Sequence, residues 1–537
     1  MGNKYATSVW LNGKILTVDD EFSIAEALVV KNDYLIYVGD NETARKFISP
    51  ETEVFDLEGK TVLPGLMESH THFSWLSNSL TEIDGLFKSK ENILDQLREK
   101  VAKAEKGEWI QGRGWNQDNW DEKVFPTKFD LDEVAPDNPV VMIRADYHSY
   151  WVNSAALKIG GIDKDTKAVD GGEIIRFDDG EPTGVLIDKA GEAVTKHVPP
   201  YQGEKFQEAL RLGQKHLASY GFSGVMDAGA SSDEIAAFKQ FADNGELDIR
   251  LYVYAKEGDT AREYYKKGAE IGLYGNKMTI RGVKFFTDGA IGSRGAAMVE
   301  DYADDPGNKG LFMYTDEQFY NEVREARLNG FQISAHAIGD AAVEQVVNTF
   351  KKVLDELPDE NNRWRIEHFQ TITKQTLSDT VKYKFIPSMQ FTHCTSDVGP
   401  ARKRYGEGER LERSYRWRDV LDAGLHIAEG SDAPVEYVNP YHGFYAGVAR
   451  KNRAGEPADG GYPGQCLTRE EVIRAATIWS AEAQFEEHIR GSLEIGKFAD
   501  FAVIDKDLLT CNVEDIKDIQ ALRTVVGGKT IFEREAE

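Results

Sequence analysis

The sequence predicts a (β/α)8 TIM-type barrel that carries a small β-sandwich built from both termini and a large insertion after the first barrel strand. Three observations lead to this fold class. Both ends of the 537-residue chain resemble short strands joined by tight turns. The middle alternates short apolar runs with helical stretches, which is typical of a parallel sheet. A long stretch between the first two barrel strands is left over and predicts the insertion.

The two ends of the chain are predicted to form one composite β-sandwich from residues 1–63 and 485–537. Turn dipeptides that favour positive φ angles lie between apolar strand candidates at Asn12–Gly13, Asn32–Asp33 and Gly527–Gly528, and each predicts a hairpin. A pair of strands cannot bury a core by itself. We therefore expect the two ends to combine into one sandwich.

Residues 64–484 are predicted to form the barrel. The clearest unit runs from a strand at 330–336 into a helix with Asp340 as its N-cap, apolar residues spaced i, i+3, i+4, i+7, and an end at Pro358. Eight strand candidates begin near Thr61, Gly221, Ile249, Ile280, Phe331, Trp364, Phe385 and His426. Eight strands alternating with helices are the number that a closed barrel of this class requires.

The insertion covers roughly residues 74–210 and contains a predicted hairpin of Glu173–Arg176 with Gly184–Ile187. The first barrel strand ends just before it. Loops at the carboxyl ends of barrel strands surround the active site of this fold, so we expect the insertion to act as a substrate lid.

The charge of the chain excludes some classes of partner. Lys and Arg number 64 against 91 Asp and Glu, a formal net charge of −27. Such a charge repels nucleic-acid phosphates and anionic lipid surfaces, which makes both poor candidates for a partner. The expected partner is a small-molecule substrate, and a homodimer is an assembly to test. No segment has the ~20 consecutive apolar residues of a membrane helix.

The cysteines and the N-terminus favour a cytoplasmic protein. Cys394, Cys466 and Cys511 are odd in number and far apart, which predicts neither a disulfide framework nor a thiolate zinc site. The first residues lack the apolar core of a signal peptide. We expect a protein of a reducing compartment.

The strongest local signal is the segment Pro64–His72, which ends in His-x-His. His70 and His72 are two residues apart on a strand, so both imidazoles project to one side and can bind one metal ion. A lone pair of this kind is also common on protein surfaces, and its weight depends on the other histidines.

Other ligand-type residues close further predicted strands. His336 and His368 each end a strand candidate, and Asp432 follows another. A TIM-type barrel assembles its site at these strand ends. Each residue taken alone has a structural explanation, as a hydrogen-bonded interior histidine or a turn-capping aspartate. Their common position predicts a metal site.

Lys284 is a cation among large apolar side chains in a predicted barrel strand. A buried lysine must find a partner or lose its charge. One explanation is a salt bridge to an inward carboxylate such as Asp288. The other is carboxylation by CO2, which would turn the amine into a bidentate anion.

These features together resemble the metal-dependent amidohydrolase superfamily, and in particular the amidohydrolase family 3 branch that includes N-substituted formamide deformylase. The resemblance rests on the His-x-His strand, the strand-end residues and stretches such as Gly114–Gln117, Asn153–Leu157, Lys284–Arg294 and Gly491–Asp500. It covers essentially the whole chain.

The resemblance implies a ligand set and a mechanism. It places His70 and His72 on a more buried metal ion, His336 and His368 on a more exposed one, carboxylated Lys284 between them, and Asp432 beside metal and water. The expected cofactors are one or two divalent ions, most simply Zn2+ in a binuclear centre, and a CO2-derived carbamate on Lys284.

The expected function is hydrolysis of an amide, N-acyl or N-formyl C–N bond by a metal-activated hydroxide, with Asp432 as general acid and base. The same site acting on a cyclic amide, an amidine or an ester is the alternative. A scaffold that has lost its metal is the non-enzymatic alternative, and the complete ligand set argues against it.

Four further residues are candidates for substrate binding: Trp115, His148, Arg294 and His393. Trp115 is expected either in an aromatic wall of the site or in a core of the insertion. Arg294 could hold a substrate carboxylate through two hydrogen bonds. His393 follows the seventh strand closely enough to line the pocket. His148 is expected either to reach the pocket from the insertion or to have a structural role within it.

Overall fold

A computed structural model describes residues 5–117, 120–145, 149–167, 172–396, 398–406 and 408–535. The chain folds into two compact units. One comprises Met1–Ser74 and Gln214–Glu537, and the other comprises Trp75–Gly213.

The regular elements of the described residues follow in chain order. The strands are β1 (Ser8–Leu11), β2 (Lys14–Leu16), β3 (Ile24–Ala25), β4 (Ala27–Lys31), β5 (Tyr34–Gly39), β6 (Glu53–Asp56), β7 (Thr61–Pro64), β8 (Leu66–Thr71), β9 (Ile83–Asp84), β10 (Ile110–Trp115), β11 (Val140–Arg144), β12 (Ser149–Val152), β13 (Gly172–Arg176), β14 (Pro182–Asp188), β15 (Phe222–Ala230), β16 (Arg250–Lys256), β17 (Glu270–Gly272), β18 (Met278–Phe286), β19 (Gln332–Ala337), β20 (Arg365–His368), β21 (Ile386–Met389), β22 (Ala428–Glu429), β23 (Phe501–Ile504), β24 (Ala521–Val526) and β25 (Lys529–Glu533). The helices are α1 (Asn41–Ala44), α2 (Phe73–Ser79), α3 (Lys90–Val101), α4 (Lys128–Asp132), α5 (Ser154–Gly160), α6 (Glu192–Thr195), α7 (Gly203–Ala218), α8 (Ser232–Asp243), α9 (Asp259–Lys267), α10 (Leu273–Asn276), α11 (Asp316–Leu328), α12 (Asp340–Glu356), α13 (Lys374–Tyr383), α14 (Phe391–Ser396), α15 (Val398–Tyr405), α16 (Glu409–Glu412), α17 (Trp417–Asp422), α18 (Pro440–Ala449), α19 (Arg469–Ala475) and α20 (Ile478–Ala483). None of these helices combines the length and apolar character that a membrane span requires.

Strands from both termini pair in one sheet. The six-stranded sheet has the order β25-β24-β23-β7-β2-β3, and β23 runs antiparallel to β7. A four-stranded sheet, β5-β4-β1-β6, shares its core: Trp10 and Leu28 pack in one cluster with Val62, Phe501 and Val525. Because apolar side chains from both sheets meet in one cluster, the two sheets form the predicted sandwich.

One predicted hairpin in this sandwich is wrong. The turns at Asn32 and at Gly527–Gly528 do join antiparallel pairs, β4 with β5 and β24 with β25. Asn12 also has a positive φ of 60°, but β1 pairs with β4 and β6, whereas β2 pairs with β3 and β7. The dipeptide sets the local turn, while burial of all four β1 side chains selects that strand's neighbours.

The eight-strand barrel is confirmed. Parallel strands follow in the order β8, β15, β16, β18, β19, β20, β21 and β22. The chain beyond β22 returns to β8: the amide of Asp432 donates to the carbonyl of His70 (2.7 Å), and the amide of His72 donates to that of Ala433 (2.9 Å). The first barrel strand starts at Leu66, because the apolar run before Gly65 is β7 of the terminal sheet.

The unit around β19 follows the predicted pattern. Helix α12 buries Val343, Val346, Val347 and Phe350 on one face, as the apolar spacing predicts. Asp340 is the first helical residue, and Gly339 is the N-cap.

The unit Trp75–Gly213 has a mixed sheet of its own, in the order β13-β14-β12-β11-β10-β9. The predicted hairpin of β13 and β14 is present. Two apolar clusters fill the unit, one around Trp115 and Trp151 and the other around Leu157 and Leu186. Its action as a substrate lid stays a prediction.

Candidate metal centre

Four of the predicted site residues stand at the carboxyl ends of barrel strands. His70 lies near the end of β8, His336 near the end of β19 and His368 at the end of β20, and Asp432 follows β22. Parallel strands of a barrel converge at this end, so side chains that are distant in sequence reach one volume.

The structure brings His70, His72, His368 and Asp432 together. The candidate ligand atoms of His70, His368 and Asp432 all lie within 4.8 Å of one another. Oδ1 of Asp432 is 3.5 Å from Nε2 of His70 and 3.4 Å from Nε2 of His72. Two atoms that each lie ~2 Å from one Zn2+ ion are at most ~4 Å apart, so the distances from Asp432 to His70 and His72 fit a shared metal ion.

Two of these residues have an uncommon backbone conformation. The φ angle is +70° at His368 and +60° at Asp432, in the left-handed region. A non-glycine residue held there costs about 1–3 kcal/mol, and such residues concentrate at functional sites. The fold therefore holds His368 and Asp432 in a strained backbone conformation, which sets the direction of their side chains and costs some stability.

Asp432 is a buried carboxylate that keeps its charge. Burial alone would raise its pKa, but the imidazoles of His70 and His72 hold the pKa well below the usual range. Its Oδ1 accepts no hydrogen bond from the described residues. An ionised oxygen without a donor is a suitable metal ligand or proton acceptor.

Glu367 orients His70, and sequence reasoning missed it. Nδ1 of His70 lies 2.5 Å from a Glu367 oxygen, which leaves Nε2 towards Asp432. Arg365 donates two hydrogen bonds to Glu367 (2.7 and 3.1 Å) and Ser334 a third (2.7 Å). Burial opposes the charge on Glu367, yet Arg365 and His70 hold its pKa well below the usual range. Metal-binding histidines are commonly fixed by such a carboxylate.

His368 is fixed in the same way by Gln390, another residue that was not predicted. Nδ1 of His368 is 2.7 Å from Oε1 of Gln390. An amide oxygen only accepts, so Nδ1 carries the proton and Nε2 keeps its lone pair. Burial and the adjacent His336 hold the pKa of His368 well below its usual value, and the ring is neutral and able to bind metal.

His336 reaches the same region but faces another residue. Its ring centroid is 4.5 Å from that of His368. Its Nε2 lies 3.3 Å from Oδ1 of Asp288 and 3.5 Å from the carbonyl of Gly289. Its role as a metal ligand stays a prediction.

Lys284 lies within the barrel without a polar contact to its amine. The residue is fully buried, and Nζ has no hydrogen-bond partner among the described residues. It lies 4.5 Å from the ring centroid of Phe286. Burial lowers the pKa of Lys284. Gly229 packs beside its stem, since a Cβ there would lie 3.4 Å from Cγ of Lys284.

Asp288, the salt-bridge partner considered for Lys284, has other contacts. Its carboxylate accepts backbone N–H groups from Ala297 (2.9 Å), Ile338 (3.1 Å) and Gly339 (2.8 Å). No Lys284–Asp288 ion pair occurs in the described part of the chain. The geometry therefore does not support a salt bridge with Asp288 as the reason for the buried Lys284.

The four substrate-binding candidates have different surroundings. Nε2 of His393, on α14, lies 3.9 Å from Oδ2 of Asp432. Trp115 is fully buried and donates to the carbonyl of Met142 (2.8 Å) inside its unit, which favours the core role. Arg294 pairs with Asp304 (2.9 Å) and would have to leave that pair to bind a substrate. His148 lies outside the described residues.

Known proteins resemble the chain over most of its length. A profile of the Amidohydrolase family matches residues 53–532. The putative amidohydrolase YtcJ of Bacillus subtilis is 31% identical, and the match covers 98% of this chain and 99% of the YtcJ chain. N-substituted formamide deformylase of Arthrobacter pascens is 27% identical over 98% of each chain. The crystal structure of an uncharacterized metal-dependent hydrolase from Pyrococcus horikoshii OT3 covers 94% of this chain and 99% of its own, with a TM-score of 0.79 and 28% identity. With this barrel, its strand-end histidines and a profile match over most of its residues, the chain belongs to the Amidohydrolase family and is a hydrolase acting on carbon–nitrogen bonds.

Proposed function

We propose that the enzyme hydrolyses the C–N bond of an N-acyl or N-formyl amide. The observation that carries this proposal is the buried cluster of His70, His368 and Asp432 at the carboxyl end of the barrel. The likeness to a formamide deformylase supports an acyl or formyl group on nitrogen.

The proposed cofactor is Zn2+, as one or two ions. Neutral imidazoles and a carboxylate are the donors that Zn2+ commonly takes, and His70, His72, His368 and Asp432 supply them. A second ion would need His336 and a carboxylated Lys284. When bound, the metal would polarise the scissile carbonyl and acidify water.

Carboxylation of Lys284 is consistent with its environment. The lone pair of a neutral amine attacks the carbon of CO2. A C–N bond forms as one C=O π bond opens onto oxygen, and one N–H proton is lost to water, which gives a carbamate anion. Burial lowers the pKa of Lys284 and so favours the neutral amine. Nζ has no hydrogen-bond partner among the residues described, so no competing contact has to be broken.

Asp432 is the proposed general base and acid. Its pKa is held well below the usual range, so it is ionised at neutral pH and can accept a proton from the attacking water. The same oxygen then returns the proton to the leaving nitrogen, and the C–N bond breaks. Glu367 and Gln390 hold the imidazoles in place during both steps.

The compartment and assembly are also proposals. All three cysteines are free, which fits a reducing compartment such as the cytoplasm. A homodimer remains a proposal, and sedimentation equilibrium would test it directly.

A substrate panel tests the proposed function. We would assay zinc-loaded protein against N-formyl amines, N-acyl amino acids, cyclic amides, amidines and aryl esters. The proposal expects the highest kcat/KM on N-formyl or N-acyl compounds. Cleavage of esters alone, or of amidines alone, would contradict it.

A further inference from the structure

Several buried polar side-chain atoms in the segments that follow β20 and β21 lack hydrogen bonds. Among the described residues, Nε2 of His393, Nε2 of Gln390, Nε2 of Gln370 and Oγ1 of Thr392 have no partner. Each such atom costs about 1–3 kcal/mol when it stays unsatisfied in a protein interior. Two of these side chains lie against residues of the candidate site: Gln390 contacts His368, and His393 lies beside Asp432.

His393 is the member of this group that faces the reacting groups. Helix α14 begins two residues after β21 ends, which places His393 above the barrel. Its ring stacks on that of His368, with centroids 5.9 Å apart and planes at 14°. The residue is only 9% exposed. Stacking and burial fix where Nε2 points.

His393 approaches Asp432 from the side opposite the ligand histidines. His70 and His72 face Oδ1 of Asp432, whereas Nε2 of His393 faces Oδ2 at 3.9 Å. That distance is too long for a hydrogen bond, so the carboxylate does not hold the imidazole proton. His393 also lies outside the group of close ligand atoms found among the described residues. Nε2 of His393 therefore neither bonds to Asp432 nor belongs to the ligand cluster, which leaves it able to contact the substrate.

We propose that Nε2–H of His393 donates a hydrogen bond to the carbonyl oxygen of the scissile amide. This inference rests on the proposed function. As the water oxygen bonds to the carbonyl carbon, the π electrons move to the carbonyl oxygen and Asp432 takes the water proton. The His393 hydrogen bond strengthens with that charge. When the C–N bond breaks, the carbonyl re-forms and Asp432 protonates the nitrogen. His393 keeps its proton throughout.

Two variants of His393 separate this role from a structural one. His393→Ala removes the donor, and His393→Gln keeps an N–H group. We would measure kcat and KM on N-formyl anilines with leaving groups of different basicity. Loss of one oxyanion donor typically lowers kcat by about 100- to 1,000-fold. We expect that loss in the alanine variant, similar for every leaving group, with a smaller change in KM and partial recovery in the glutamine variant.

Bound zinc, melting temperature and a control variant complete the design. Both His393 variants should keep the zinc content of the parent, and both should stay folded at the assay temperature despite the loss of a buried, stacked ring. His488→Ala is the matched control, since His488 is an exposed histidine of the same unit, and it should keep full activity.

Four results of these assays would overturn the inference, and a fifth comes from calorimetry. These are less than a threefold fall in kcat for the alanine variant, loss of bound zinc, unfolding of both variants, or a fall that grows with leaving-group basicity. The last would make His393 a proton donor to nitrogen. An inactive parent would instead contradict the proposed amide function. Hydrolysis of any acyl substrate, esters included, forms the same oxyanion. The ratio of kcat between parent and alanine variant should therefore be similar for whichever acyl substrate the parent cleaves. Equal affinity of parent and alanine variant for formate, measured by calorimetry, would also count against it.

Discussion

Glu367 is a buried side chain that contacts His70, a proposed metal ligand. It contacts Nδ1 of His70 at 2.5 Å and is itself held by Arg365. Removing such an outer carboxylate typically weakens metal binding by about 10- to 100-fold. We expect this loss for Glu367→Gln, measured as the zinc dissociation constant in competition with a chromogenic chelator.

A surface pair provides the control for Glu367. Glu482 also contacts Nδ1 of a histidine, His426, at 2.5 Å, but both side chains are at least 40% exposed. Glu482→Gln should leave zinc affinity unchanged. Equal zinc affinity in the two variants would show that Glu367 has no part in orienting His70 for zinc.

Lys284 gives the second prediction at this scale. In Lys284→Ala the carbamate cannot form, so we expect fewer zinc equivalents per chain by elemental analysis. A short carboxylic acid such as acetate should restore part of the zinc, because it supplies the missing carboxylate in the space left by Lys284. Unchanged zinc content would reduce the lysine to a packing role.

At the scale of single elements, helix α18 carries a pH-sensitive contact. Burial, with Arg453 nearby, lowers the pKa of His442 to about 4 from its ordinary 6.5. Nδ2 of Asn439, the N-cap of this helix, donates to Nε2 of His442 at 3.2 Å, which requires a neutral ring. A positive charge is also unfavourable at a helix N-terminus.

The sign of the effect follows from proton binding. Between pH 6.5 and 4 the unfolded chain binds a proton at this histidine that the folded chain does not, so stability falls as pH falls. At about 1.4 kcal/mol per pKa unit, the loss is at most ~3.5 kcal/mol. Denaturant unfolding across this range should show a shallower pH slope for His442→Gln than for the parent. Equal pH slopes of the free energy of unfolding in parent and variant would show that His442 is not the source of this pH dependence.

Elements were predictable where local signals and tertiary pairing agree. The spacing of apolar residues predicted α12, and apolar runs predicted the eight barrel strands, although the first run began in β7 of the terminal sheet. The hairpin predicted at Asn12–Gly13 was wrong because a turn with a positive φ can also connect strands of two different sheets. Strand alternation placed His70 and His72 together. Glu367 and Gln390 were missed because their contacts with the histidines form only when the barrel closes.

At the scale of the whole molecule, a buried ion pair joins the C-terminal segment to the barrel. Arg250 of β16 donates to both oxygens of Asp500 (2.7 and 3.0 Å), and Asp500 also accepts the amide of Gly527. Removing one member of a buried pair leaves the other charge uncompensated and costs about 3–5 kcal/mol. We expect Asp500→Ala to lower the free energy of unfolding in guanidinium by that amount.

An exposed ion pair that joins the two ends of the chain is the control for Asp500. Lys14 and Asp507 are 2.5 Å apart, with each side chain more than a quarter exposed. Exposed pairs contribute about 0–1 kcal/mol, so Asp507→Ala should cost little. Similar losses in the two variants would mean that burial does not distinguish these pairs.

The central claim is that this barrel is a metal-dependent amide hydrolase with Asp432 as its proton-transfer group. The most direct test is amine release from an N-formyl amine by zinc-loaded parent and Asp432→Asn proteins, with bound zinc measured in the same samples. Loss of a general acid–base group typically lowers the rate by about 100- to 10,000-fold. The account predicts turnover by the parent and a fall of that size in the variant at similar zinc content. Turnover retained by the variant, or none by the parent, would contradict it.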